Sequence, residues 1–180
     1  MIAAFDVHYP SDGGASAAAV LFSGYGDAEP AAEYTAVFGH VEDYVPGAFY
    51  RRELPCLLDL FRRMDPVPDE TVIDGYVMLG DDRPGLGQHL FVRLGGKIPV
   101  IGVAKSKFEG ACHVEVFRGD GGRPLYVTAA GMDPRIAADK IRTMSGKFRI
   151  PALLKRVDRL ARRGDAQVLP SGKLHRVAGP

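Results

Sequence analysis

The chain has 180 residues, with 23 Lys and Arg against 22 Asp and Glu, two cysteines, no tryptophan and 46% hydrophobic residues. That length suits one domain with a full core, and nine Phe with seven Tyr at 25% charged content exclude a wholly disordered chain. Two cysteines, Cys56 and Cys112, exclude a disulfide scaffold, and no apolar run approaches the roughly 20 residues that span a bilayer. Met1 to Asp6 lacks the basic stretch of a secretory leader, so a soluble protein of a reducing, cytoplasmic setting is expected.

In chain order, Ile2 to His8 is apolar and stops at Tyr9-Pro10, which predicts a strand. Ser16 to Phe22 and Glu33 to Val41 are two more, with turns at 11–14 and 24–30, so the three form an antiparallel meander. Pro55 is expected to start a helix with Leu57, Leu58 and Phe61 inward, leaving Glu53 at its entrance. Thr71-Val72-Ile73 is a β-branched strand ending at Asp74-Gly75. A helix over 86–94 follows, and Pro99 to Ala104 reads as a buried strand ending at Lys105. Strand, helix and strand of this kind make a parallel βαβ unit. His113 to Phe117 and Leu125 to Thr128 form a hairpin. Asp133-Pro134 starts a helix that Ser145-Gly146 closes, and Pro151 starts another that ends at Gly164. Without repeats or linkers, residues 1–164 read as one domain, and the aperiodic residues 165–180 as a loose tail.

Charge is unevenly spread. Of the 23 basic and 22 acidic residues, eleven and two fall within 140–180, leaving 12 and 20 before them. An acidic body suits cations, and a basic C-terminal part suits polyanions. Lys155, Arg156, Arg159, Arg162 and Arg163 lie largely outward on the last helix, a candidate backbone contact for nucleic acid.

A three-stranded meander followed by βαβ, with acids in the first and fourth strands, is the layout of a ribonuclease-H-like domain. The expectation is an α/β fold with a mixed five-stranded sheet of order 3-2-1-4-5, flanked by helices. The first and fourth strands are then parallel neighbours at the switch point where ligands gather. Asp6, between Phe5 and Val7, is costly in so apolar a strand unless it is paired or binds a cation. With Asp74 at the end of the adjacent strand and Glu53 as a third donor, hard oxygens would suit Mg²⁺ or Mn²⁺. Singly, Asp74 also reads as a turn residue and Glu53 as a helix cap.

Tyr44-Val45-Pro46-Gly47 with Arg52-Glu53-Leu54-Pro55 resembles the endonuclease V pattern Y-I-P-G followed by R-E-x-P, with glutamate nine positions after tyrosine in both. Val72-Ile73-Asp74-Gly75 is similar to the family's V-D-G segment, and Ile101-Gly102-Val103-Ala104-Lys105-Ser106 to its I-G-V-A-K-S. The resemblance spans about residues 2–163 and implies a Mg²⁺-dependent endonuclease, with Mn²⁺ as substitute, cutting DNA or RNA 3′ of inosine or another altered base. It implies roles in repair or processing, on single-stranded or locally unpaired substrate, without an organic cofactor; a monomer is expected. Carried over, Asp6, Glu53 and Asp74 are metal ligands and Lys105 steadies the scissile or leaving phosphate. Tyr44 is a wedge, Pro46 stiffens its turn, and Gly75 lets the backbone approach the base; Arg159, Arg162 and Arg163 remain the phosphate-facing cations. Two segments depart from the pattern. Tyr76-Val77 stands where the family has histidine and glycine, and Met132 where its S-x-G-H motif carries the metal-site histidine. Asp133 is then either a replacement ligand or the N-cap before Pro134. The alternative is a catalytically impaired nucleic-acid-binding protein of the same fold.

Overall fold

Alternate side chains of β1 (Ile2–His8) enter two separate cores, and this split organises the molecule. Ala3 and Phe5 meet Leu54, Leu57 and Leu60 of α1 (Tyr50–Arg62), whereas Ile2 and Ala4 face Ala137, Ile141, Leu153 and Val157 of the C-terminal helices. In the computed structural model, residues 1–11, 13–42, 48–164 and 175–178 are described. Tyr44 and Pro46 fall outside that set. β2 (Ala15–Phe22) is buried along its whole length because helices cover both faces, and its four alanines let them approach closely.

The remaining elements are β3 (Ala32–Phe38), β4 (Glu70–Asp74), α2 (Leu86–Arg93), β5 (Val100–Ala104), β6 (Val114–Val116), β7 (Leu125–Ala130), α3 (Pro134–Thr143), α4 (Ala152–Arg163) and β8 (His175–Ala178). They build a mixed sheet of order β6-β7-β5-β4-β1-β2-β3-β8, with β1, β4 and β5 parallel and the other pairings antiparallel. The expected order 3-2-1-4-5 is its centre. The strand count is corrected from five to eight among the described residues. The β6–β7 hairpin pairs with the outer edge of β5, which would otherwise leave its backbone groups unpaired. Within 165–180, where a loose tail is expected, the described residues 175–178 form β8, which pairs with β3. Edge pairing satisfies backbone groups and needs no side-chain periodicity, so the sequence carries no sign of it.

One boundary also moves. α1 starts at Tyr50, five residues before Pro55, and its first turn is closed by bonds from Arg51 N–H to Ala48 O and Arg52 N–H to Phe49 O. Pro55 forfeits one backbone bond in the second turn, a loss tolerated near a helix start.

Arg118, only 9% exposed, ties the β6–β7 connection to the end of α3. Its guanidinium donates to Ile141 O at 3.1 Å, Met144 O at 2.7 Å and Gly146 O at 2.8 Å. Ile141 O also accepts from Met144 N–H at 3.3 Å, and the other two carbonyls lie beyond the last helical turn. Arg118→Met should destabilise the fold by about 2–4 kcal/mol, lowering Tm by roughly 5–15 °C in calorimetry. A change below about 1 kcal/mol would mean that water replaces the guanidinium at little cost.

Candidate active site

Period-two alternation places three side chains at one end of the sheet. Along β1 the face carrying Ile2 and Ala4 continues to Asp6; along β4 Val72 is followed by Asp74; along β5 Ile101 and Val103 are followed by Lys105. Phe5 is in register with Ile73, and Asp74 with Val103, so the strand ends stand side by side. Because all three strands are parallel, their carboxyl ends point the same way. Lys105 Nζ reaches Asp74 Oδ2 at 2.5 Å. Asp6, Asp74 and Lys105 line a cleft of about 1030 Å³, whose other wall includes Leu154, Val157 and Asp158 of α4.

Glu53 comes from the opposite side of the sheet, in the first turn of α1, and is 9% exposed. Burial, then the charges of Asp6 and Asp74, push its pKa up to about 8 against the pull of Arg52. Asp6 is pushed up to about 7 by burial and by Asp74 and Asp158, opposed by Lys105 and the Val7 N–H. The carboxyls therefore act on one another from both faces of the sheet. Lys105 is drawn down by burial, but the bond and charge of Asp74, with Asp6 and Asp158, outweigh this and leave it above its ordinary range.

The site has a fourth acid, Asp158, which sequence reasoning counted only among the charges of the C-terminal part. Burial raises its pKa, but the Arg162 bond and charge, the Lys105 charge and a hydrogen bond with Asp6 bring it below the usual carboxylate value. Arg162 Nε lies 3.1 Å from Asp158 Oδ2. A lone acid in a basic helix, next to the buried Val157, was the available signal. Of its two expected places, Asp133 takes the N-cap of α3. Its side chain accepts from Arg135 N–H at 2.7 Å and caps α3, because Pro134 leaves the first-turn donors to be met there. Met132 packs against the α3–α4 core.

The other predicted residues divide. Gly75 has φ +124°, a conformation other residues rarely take, and a Cβ there would face open space. Tyr76 is buried; its hydroxyl donates to Ser106 O at 2.9 Å and accepts from Phe108 N–H at 3.0 Å. Arg159 and Arg163 are exposed and line a second depression beside the cleft, whereas Arg162 turns to Asp158.

Four carboxyls with one ammonium form a hard, anionic donor set whose buried members lack a full complement of positive charge. That chemistry fits Mg²⁺ or Mn²⁺. Among the described residues, no three acidic, histidine or cysteine side chains are drawn tightly enough to enclose an ion as they stand, so the fit is one of donor type and charge.

Comparison with known proteins bears on this arrangement. A family model described as Endonuclease V matches residues 1–132. Endonuclease V of Trichormus variabilis is 28% identical over 181 residues, covering 89% of this chain and 81% of its own length. Endonuclease V of Streptomyces avermitilis is 31% identical over 88% of this chain and 77% of its own. The crystal structure of Endonuclease V from that organism has a TM-score of 0.75 over 92% of this chain and 81% of that chain, at 31% identity. A Ciona intestinalis Endonuclease V, in complex with a 24mer DNA containing an inosine followed by a ribo-adenosine, has a TM-score of 0.79 over 93% of this chain and 87% of that chain. At 18% identity, that last likeness is one of fold.

Proposed function

The chain belongs to the endonuclease V family, with its ribonuclease-H-like sheet, and from that premise we propose that it is a divalent-metal-dependent endonuclease. Its substrate is single-stranded or locally unpaired DNA or RNA, cut 3′ of inosine or another altered base, in repair or processing, by a cytoplasmic monomer. What supports the reading is the convergence of Asp6, Asp74 and Lys105 at three adjacent parallel strand ends, with Glu53 and Asp158 electrostatically joined to them. Among the described residues no helix is long and apolar enough to cross a membrane.

Asp6, Glu53, Asp74 and Asp158 are the residues that would hold Mg²⁺, or Mn²⁺ in its place. Bound there, the ion supplies Lewis-acid stabilisation of charge building on the phosphodiester oxygens. Asp6 and Glu53, raised toward neutrality, would have to give up protons to hold a cation. Asp74 holds the Lys105 ammonium at the cleft, where it acts as a compact charge beside the scissile phosphate or its leaving oxygen. Gly75 leaves the main chain bare beside that point, open to close approach by a nucleotide.

The alternative is a non-catalytic nucleic-acid-binding protein of the same fold. It rests on the replacement of the metal-site histidine by Met132, which packs against the core; against it stands Asp158, a further oxygen donor at the cleft. The test is incubation with Mg²⁺ or Mn²⁺ and labelled inosine-containing or undamaged single strands of DNA and RNA, with Asp74→Ala alongside. Product from the parent protein alone supports the enzyme; product from neither protein sinks it. Lys105→Met should lower the cleavage rate by about 100- to 1000-fold. Its cation-induced rise in Tm should persist, because the carboxylates remain. Full activity in that variant would remove Lys105 from the reaction.

A further inference from the structure

Phe148 is 61% exposed in the connection between α3 and α4, on the wall of the carboxylate cleft and of the adjoining basic depression. Single exposed aromatics are common on protein surfaces. This one differs in its frame and its neighbours. Arg118 grips the carbonyls of Met144 and Gly146 just before it. Arg149 just after it donates to Pro124 O at 2.7 Å and to Lys105 O, the main-chain carbonyl of the cleft lysine itself. Gly119, at φ +65°, presses the β6–β7 connection against the same segment: a Cβ there would meet Lys147 O at 3.0 Å and Arg149 N at 3.1 Å. The backbone on both sides of Phe148 is thus clamped, and the ring stays outward although its burial would be favourable. Lys147 and Lys155 place their ammonium groups 5.4 Å and 5.7 Å from its centroid.

We propose that Phe148 is a stacking platform for an unpaired base of the nucleic-acid strand that enters the carboxylate cleft, with Lys147 and Lys155 taking the phosphates that flank it. The inference rests on the nuclease reading and adds to it a subsite that holds the strand by the π-face of a base. A phenyl ring accepts any base by stacking, and two long, flexible cations can turn from the ring to neighbouring phosphates when a base covers it. The site therefore selects single-stranded over paired substrate, because bases within a duplex are already stacked on one another. Arg159 and Arg163, on the same basic depression, extend the phosphate track beyond the cleft.

Because the sequence contains no tryptophan, Phe148→Trp introduces a single fluorophore at the platform. The position is exposed, so the substitution leaves the cores intact. The variant is titrated, in the presence of Ca²⁺, against single-stranded DNA, single-stranded RNA and an abasic strand of equal length. Cleavage is measured separately in Mg²⁺. Strands bearing bases should quench the tryptophan and the abasic strand should not, whether DNA, RNA or both bind. Phe148→Ala should weaken single-strand binding by about 5- to 150-fold, and Phe148→Tyr should restore it. Strand binding and cleavage with a silent tryptophan, or equal quenching by the abasic strand, would overturn the platform while leaving the nuclease intact. Absence of both binding and cleavage in the parent protein would overturn both.

Discussion

Asp6→Asn and Asp74→Asn should each abolish phosphodiester cleavage, lowering kcat by on the order of a thousandfold or more, since each removes an anionic oxygen donor from the set proposed to hold the cation. The accompanying stability change separates a functional acid from a structural one. Asp6 is held near neutrality by burial and by the charges of Asp74 and Asp158, so its ionised form strains the metal-free fold. Asparagine removes that strain and should stabilise the metal-free protein at pH 8 by on the order of 2 kcal/mol while destroying activity. Asp74 is bound to Lys105 at 2.5 Å, so Asp74→Asn should lose activity without that gain. A variant of Asp6 that loses both stability and activity would point to a structural role. One that keeps activity would end the proposed mechanism.

Raising pH in the presence of a chelator should lower the stability of the protein between about pH 4 and pH 8. The sign follows from which state holds the protons. The native-state pKa values of Asp6, about 7, and Glu53, about 8, lie above their ordinary values of 3.8 and 4.5. Below pH 4 both states are protonated and the difference vanishes. Through the window the unfolded chain ionises first, so the native state holds more protons and loses relative stability; above pH 8 the penalty is constant. The total is on the order of 5 kcal/mol, or roughly 10–20 °C in Tm. Asp158, lowered by Arg162, Lys105 and Asp6 against its own burial, contributes oppositely, and only as pH falls through its native value. Mn²⁺ should offset part of the loss, stabilising by about 2.7 kcal/mol at a hundred times its Kd, and far more at pH 8 than at pH 5, where protons compete. Calorimetry at both pH values, with and without the ion, reads all of this. A flat apo profile would show that the carboxyls are solvated and uncoupled.

Much of this site was legible before any coordinates. Asp6 could be singled out because an acid within an apolar strand has a cost that only a partner or a cation removes. Asp74 and Lys105 followed because strands of alternating period end where turn residues begin, and Thr71-Val72-Ile73 and Val100 to Ala104 are unmistakable strands. The strand directions at the centre of the sheet followed from the connections, since a meander pairs antiparallel and a helical crossover returns parallel, and the order from the ribonuclease-H-like layout. Local chemistry also settled the start of α3, where Asp133 and Pro134 act as read.

Asp158, the extra strands and the frame around Phe148 belong to the tertiary structure. On its own helix Asp158 reads as the partner of Arg162 four residues on, and that pair does form. Its second role arises because α4 crosses the face of β1 and brings it to a carboxyl about 150 residues away in sequence. No periodicity records a contact of that range: a helix's pattern says which face is buried, not which strand end lies beneath it. The same holds for Arg118, whose partners are backbone carbonyls and therefore leave no trace in side-chain identity. Local order is written in the alternation of residue types along a segment, whereas the meeting of distant segments depends on how whole surfaces pack.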